Sequence, residues 1–142
     1  MILEFIKYED ALLFAKVALL LILVAVSYYI LRMLAKVLRQ NAGSNQLVLT
    51  IQKLIPLSRS IHVYASVFAG IAATTHAFFF LRLYPFYGIK MYSGIVTLFI
   101  FVIVASLGLA LRRSRSNLQL RYQHRNAVVI FIIALLIHRL IN

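Results

Sequence analysis

Residues 57–83 read LSRSIHVYASVFAGIAATTHAFFFLRL, and the reading of this stretch decides the fold. It is one long apolar run interrupted by two imidazoles, His62 and His76, at positions i and i+14. A run of this length and hydropathy exceeds the ~20 residues that cross a bilayer core. On an α-helix that separation rises by roughly 21 Å and completes almost four turns, so both rings share one face at two depths. The same spacing equals two heptads, which keeps the alignment in a supercoiled bundle.

Working outward, three further apolar stretches complete the chain. The spans are expected at about residues 11–34, 57–83, 91–111 and 124–141. The fold class is therefore all-α, an integral membrane four-helix bundle, with residues 1–142 as one domain. Composition agrees: 63% of residues are hydrophobic and mean hydropathy is +0.95, far from a soluble domain. The first helix is not a signal peptide, because Glu4, Glu9 and Asp10 stand beside Lys7 and the apolar run is too long. It continues through residues 32–39, where Arg32, Lys36 and Arg39 share a face, to a break at residues 41–45. Residues 47–54 read as a short amphipathic segment on the membrane surface, with Pro56 near the start of helix two. His124 is expected to begin helix four. Tyr84-Pro85-Phe86-Tyr87-Gly88 reads as the turn after helix two, and Tyr28, Tyr29, Tyr84, Tyr87 and Tyr92 read as interfacial belt residues.

The last span repeats the pattern of the second. His124 and His138 are again two heptads apart. In lipid an ionisable side chain is costly and by default marks function, and neutral imidazole is the commonest metal ligand. Four histidines at one shared spacing on two helices are read as two opposed pairs, His62 with His124 and His76 with His138. Such pairs suit two haems, one per leaflet. The chain has no cysteine, which excludes thiolate ligation, iron–sulfur clusters and covalent CxxCH attachment. The expected cofactors are thus two non-covalent b-type haems. Zinc would need about four ligands at one point, whereas these histidines stand at two distant levels and every acid lies in the N-terminal segment. The same distribution argues against carboxylate proton relays and acid–base hydrolysis in the bundle, and no serine or cysteine nucleophile constellation is supported.

Neighbouring residues fit a flat ring. Ala65, Ser66, Ala69, Gly70 and Ala73 form a small-residue strip between His62 and His76. The same strip also suits a close helix–helix contact. The strip from His124 is less open, with Ala127 and Ala134 flanking Phe131. Arg59, Arg121 and Arg125 flank the inner pair, and Arg82 and Arg139 the outer pair, where a guanidinium would meet a propionate. Each arginine serves equally for topology and lipid contact. Ser66, Thr74 and Thr75 offer hydroxyls to a ring nitrogen or to their own helix.

A net charge of +12 suggests nucleic acid in a soluble chain. Here it follows from loop placement, and no nucleic-acid partner is expected. Loop one carries Arg32, Lys36, Arg39, Lys53 and Arg59; loop three carries Arg112, Arg113, Arg115, Arg121 and Arg125; loop two has only Arg82 and Lys90. Positive charge marks the cytoplasmic side, so both termini are expected outside, in a bacterial or archaeal cell membrane.

Two segments carry a family resemblance. Arg59-Ser-Ile-His62 through Gly70 to His76 follows R-x-x-H-x(7)-G-x(5)-H, and Arg121-Tyr-Gln-His124-Arg125 through His138 is its partner. Residues 57–142 thereby resemble the transmembrane domain of ferric reductase-like cytochromes b, which include ferric reductases and NADPH oxidases. The resemblance implies two b haems stacked across the membrane between two helices with paired histidines. The chain departs from that family in having four spans rather than six and no flavin- and nicotinamide-binding domain among its residues. A four-helix arrangement is also similar to the cytochrome b subunits of quinone-linked oxidoreductases. Three functions are therefore expected to compete. The first is an electron conduit with a separate redox partner or cytoplasmic donor docked at the basic loops. The second is a stand-alone oxidoreductase between quinone and ferric ion, oxygen or superoxide. The third is a non-redox metal transporter or assembly protein. Membrane lipid is a partner in all three.

Overall fold

A computed structural model describes residues 8–42, 46–83, 88–114 and 116–141, with the side chains of 41 and 42 excepted. Four α-helices account for nearly all of them: α1 (Tyr8–Ala42), α2 (Gln46–Leu83), α3 (Ile89–Arg113) and α4 (Leu118–Ile141). All four are long and apolar enough to cross a membrane. The all-α four-helix class read from the sequence is the class observed, and the chain is an integral membrane protein. At most 17% of the residues in the most apolar window of any span are buried within the protein, so most residues there keep some surface for lipid.

The helices are longer than the hydropathy pattern suggests. Helices α3 and α4, at 25 and 24 residues, match the bilayer core. Helices α1 and α2, at 35 and 38 residues, would run roughly 52 Å and 57 Å at 1.5 Å per residue, well beyond a ~30 Å core. Residues 47–54 are not a separate surface segment; they are the opening turns of α2, with Val48 and Ile51 buried. Pro56 consequently lies inside the helix rather than near its start. Its missing N–H leaves the Gln52 carbonyl without its usual i+4 donor, at one position in an otherwise continuous helix. Asn41 and Ala42 still belong to α1, while residues 1–7, residues 43–45, Tyr84 to Tyr87, Arg115 and Asn142 lie outside the described residues. Helix α4 begins well before His124, at Leu118, where the Asn117 Oδ1 accepts the Leu120 N–H at 3.0 Å as an N-cap. Polarity suits the termini: Glu9 and Asp10 open α1, and Arg112 and Arg113 close α3.

The contacts divide the chain into two compact units, residues 13–72 and residues 1–12 with 73–142. In the first, α1 and α2 pack through small side chains. Ala18, Ala25 and Ala35 are buried on α1, and Ser58, Ala65, Ala69 and Ala72 on α2. Alanines at heptad spacing let two backbones approach closely, which is how helices associate where lipid removes the hydrophobic driving force. In the second unit α3 and α4 form an antiparallel hairpin. The buried Thr97 hydroxyl donates to the Ala134 carbonyl at 3.2 Å and back to Ser93 at 2.8 Å. Phe101 and Phe131 pack as a tilted pair, 5.4 Å between ring centroids with planes at 60°. Among the described residues, no buried side-chain nitrogen or oxygen lacks a hydrogen-bond partner.

Candidate functional site

Each of the four histidines meets a hydrogen-bond partner on a neighbouring helix through the same ring atom. His62 Nδ1 lies 2.9 Å from the Ala25 carbonyl and His76 Nδ1 lies 2.8 Å from the Ala11 carbonyl, both on α1. His124 Nδ1 lies 3.1 Å from the Val104 carbonyl on α3. A carbonyl oxygen only accepts, so Nδ1 carries the proton in all three rings and the lone pair resides on Nε2. His138 reaches the same state by another route. Its Nδ1 lies 2.9 Å from the Ser93 hydroxyl, which already donates its single hydrogen to the Lys90 carbonyl at 2.8 Å. With that hydrogen on the Lys90 carbonyl, the Ser93 oxygen is placed to accept from the Nδ1–H tautomer of His138. A histidine whose Nδ1–H is held by an acceptor is oriented and fixed in one tautomer, with its lone pair on Nε2; this is the usual arrangement behind a metal-ligating imidazole.

The helices that supply the acceptors are built for close approach. Ala11 and Ala25, two heptads apart, stand beside His76 and His62 and are both buried. Gly94 and Gly108, at the same spacing, face His138 and His124. A Cβ at either glycine would stand 3.2 Å from the facing ring Cε1, inside ordinary contact distance. The histidine spacing on α2 and α4 is thus matched by a spacing of small residues on α1 and α3.

Other side chains complete the ring environments. Tyr28 and Tyr29, expected as belt residues, pack around His62 with centroids at 5.6 Å and 5.9 Å. Phe80 stands 6.0 Å from the His76 ring. The small-residue strip on α2 divides: Ala65 and Ala69 are buried in the protein, while Ser66, Gly70 and Ala73 remain partly open. The acceptor at each Nδ1 comes from α1 or α3, not from Ser66, Thr74 or Thr75.

Of the expected pairs, His76 and His138 belong to the same compact unit, and His138 lies within electrostatic reach of both His76 and Arg139. His62 belongs to the unit of residues 13–72, and His124 to the other. His124 is the most buried of the four, 7% exposed. Arg59, Arg82, Arg121, Arg125 and Arg139 are all exposed. Arg82 lies over the Phe78 ring at 5.8 Å and Arg125 over the Tyr122 ring at 4.8 Å, so neither is a bare solvated charge. Among the described residues, no three or more His, Cys, Asp or Glu side chains gather at one point. The donor set consists of separate imidazoles rather than a tetrahedral cage, which fits a cofactor that brings its own equatorial ligands.

The residues missed by sequence reasoning are the acceptors and the clearances. Backbone carbonyls carry no side-chain signal. The two-heptad spacings of Ala11 with Ala25 and Gly94 with Gly108 were available in the sequence and mark the same two levels. Comparison with family models, with curated proteins and with solved structures gives no match.

Proposed function

We propose that this protein is a di-haem b-type cytochrome that transfers electrons across the membrane as a haem subunit paired with a separate redox partner. The observation that carries the reading is the common state of the four imidazoles. Each is held through Nδ1, which puts the ring lone pair on Nε2, and α2 and α4 each set their two rings at i and i+14. Four structural histidines with independent roles have no reason to share both features.

In this reading His76 and His138 hold the outer haem, and His62 and His124 the inner one. The inner pairing rests on the sequence register, since the two ligands come from different compact units. The chain's residues bind and orient the ligands: Ala11, Ala25 and Val104 fix three rings through their carbonyls, and Ser93 fixes the fourth. The partly open Ser66, Gly70 and Ala73 leave room beside α2 for a flat ring. Arg139 and Arg82 are the outer candidates for propionate contact, and Arg59, Arg121 and Arg125 the inner ones. When bound, the iron supplies the ferric–ferrous couple, and the protein sets its orientation and potential. The exposed basic groups Arg112, Arg113, Arg121 and Arg125 support docking of an acidic donor on the cytoplasmic side, with both termini outside in a bacterial or archaeal cell membrane. Quinone is the alternative donor.

The test is a reduced-minus-oxidised spectrum with haem stoichiometry on the purified protein, produced with ample haem. Two b haems per chain are expected. His76→Ala should lose the outer haem and spare the inner, while His62→Ala and His124→Ala should remove the same haem as each other. A colourless wild type overturns the reading, as does a His76→Ala variant with both haems at full occupancy. Reduction by a quinol analogue without any partner would favour a self-sufficient quinone-linked oxidoreductase over a haem subunit.

A further inference from the structure

The two levels of the α3–α4 hairpin repeat at two-heptad spacing, except at one atom. At the inner level His124 Nδ1 bonds directly to the Val104 carbonyl at 3.1 Å. The residue two heptads earlier is Lys90, and its carbonyl is the equivalent acceptor at the outer level. His138 does not meet it directly. The Ser93 hydroxyl stands between them, 2.8 Å from the Lys90 carbonyl and 2.9 Å from His138 Nδ1. The position equivalent to Ser93 at the inner level is Leu107, which cannot relay a hydrogen bond. Three rings therefore donate to peptide carbonyls, and one donates to a hydroxyl.

We propose that Ser93 is a positioning residue that tunes His138, making this one imidazole electronically unlike the other three. The inference rests on the di-haem reading and deepens it. The acceptor at Nδ1–H controls how much imidazolate character the ring carries, and hence how strongly Nε2 donates to iron. A peptide carbonyl, polarised by amide resonance, is a stronger hydrogen-bond acceptor than an alcohol hydroxyl. Donation to Lys90 polarises the Ser93 oxygen and recovers part of that difference. His138 is left a weaker donor than His124, which raises the potential of the outer haem relative to the inner and favours electron flow from inside to outside. Gly94 faces the His138 ring, where a Cβ built on the glycine would stand 3.2 Å from Cε1. The two features form one device: the glycine admits the ring, and the serine fixes its tautomer.

The test combines two readouts on the full chain in detergent. In potentiometric titration, Ser93→Ala should move the midpoint of the haem that His76→Ala removes to more positive values. The other midpoint should stay unchanged, and Ser93→Thr, which keeps the hydroxyl, should return the first toward wild type. In ¹⁵N NMR of the ring nitrogens, His138 should show the Nδ1–H tautomer in wild type and a mixture of tautomers in Ser93→Ala. An unchanged outer midpoint at full occupancy in Ser93→Ala overturns the proposal. If Ser93→Ala sheds the outer haem, retention of that haem in Ser93→Thr supports the proposal and loss in both variants overturns it. The NMR arm also reads in haem-free protein. A colourless wild type with the predicted tautomer change would therefore sink the di-haem reading while leaving the Ser93–His138 hydrogen bond in place.

Discussion

At the residue scale the glycines of α3 are the sharpest probes of the two levels. Each faces an imidazole tied through Nδ1, so a shift of the ring must be accommodated by that hydrogen bond. Gly108→Ala would place a methyl 3.2 Å from His124 Cε1, and Gly94→Ala would do the same at His138. The neighbour must shift by a few tenths of an ångström in each case, and larger side chains must displace the ring. Overpacking of this kind typically costs about 1–3 kcal/mol. Gly108→Leu should reduce occupancy of the inner haem alone and Gly94→Leu that of the outer alone, read as loss of one spectral component each. Loss of both haems in either variant would show that the levels are not independent. The histidines themselves were legible in the sequence because an imidazole in lipid demands an explanation. Their acceptors were not, because Ala11, Ala25 and Val104 act through carbonyls that any residue would offer. Ser93 was equally silent: a lone serine in the first turns of a helix normally bonds back to its own backbone, and Ser93 does this as well.

At the element scale the register of α1 against α2 follows from one hydrogen bond. Pairing Ala25 with His62 in an antiparallel pair brings Ala18 level with Ala69, one heptad along each helix. Both are buried, Ala69 to 0% exposure. Ala69→Leu should force the helices apart at that point and lower the melting temperature in detergent, by about 1–3 kcal/mol of stability. Ser66→Leu, on the partly open side of α2, should instead leave the melting of haem-free protein within about 0.5 kcal/mol of wild type while impairing haem incorporation. Equal destabilisation by both variants would mean that the strip has only a packing role. Hydropathy was enough to count these helices and to assign their type, but it misjudged where they end. Residues 46–55 continue α2 because their buried positions, Val48 and Ile51, follow the same helical face, and Pro56 interrupts one hydrogen bond rather than the helix. The start of α4 was likewise hidden: the polar turn from Leu118 to Gln123 looks like loop in composition, and Asn117 caps it as helix.

At the scale of the whole molecule, charge distribution makes a directional prediction. The chain contains no cysteine, so any single introduced thiol reports its own position without background. Gly88 lies between α2 and α3, is exposed, has an extended backbone with φ −132°, and has nothing within 4 Å of a Cβ built there. Ser116 lies between α3 and α4, also exposed, among the arginines of the basic connection. Both positions are open enough to accept a cysteine side chain. With basic loops held in the cytoplasm, Gly88→Cys should react with a membrane-impermeant maleimide on intact cells, and Ser116→Cys should react only after permeabilisation. The reverse pattern would invert the bundle. It would place the His76 level on the cytoplasmic side, where a soluble donor would meet the Ser93-tuned haem first. The higher potential argued for that haem would then oppose onward transfer across the membrane. Labelling thus decides more than orientation: only a Gly88 side open to the exterior makes the gradient between the two levels run outward from a cytoplasmic donor.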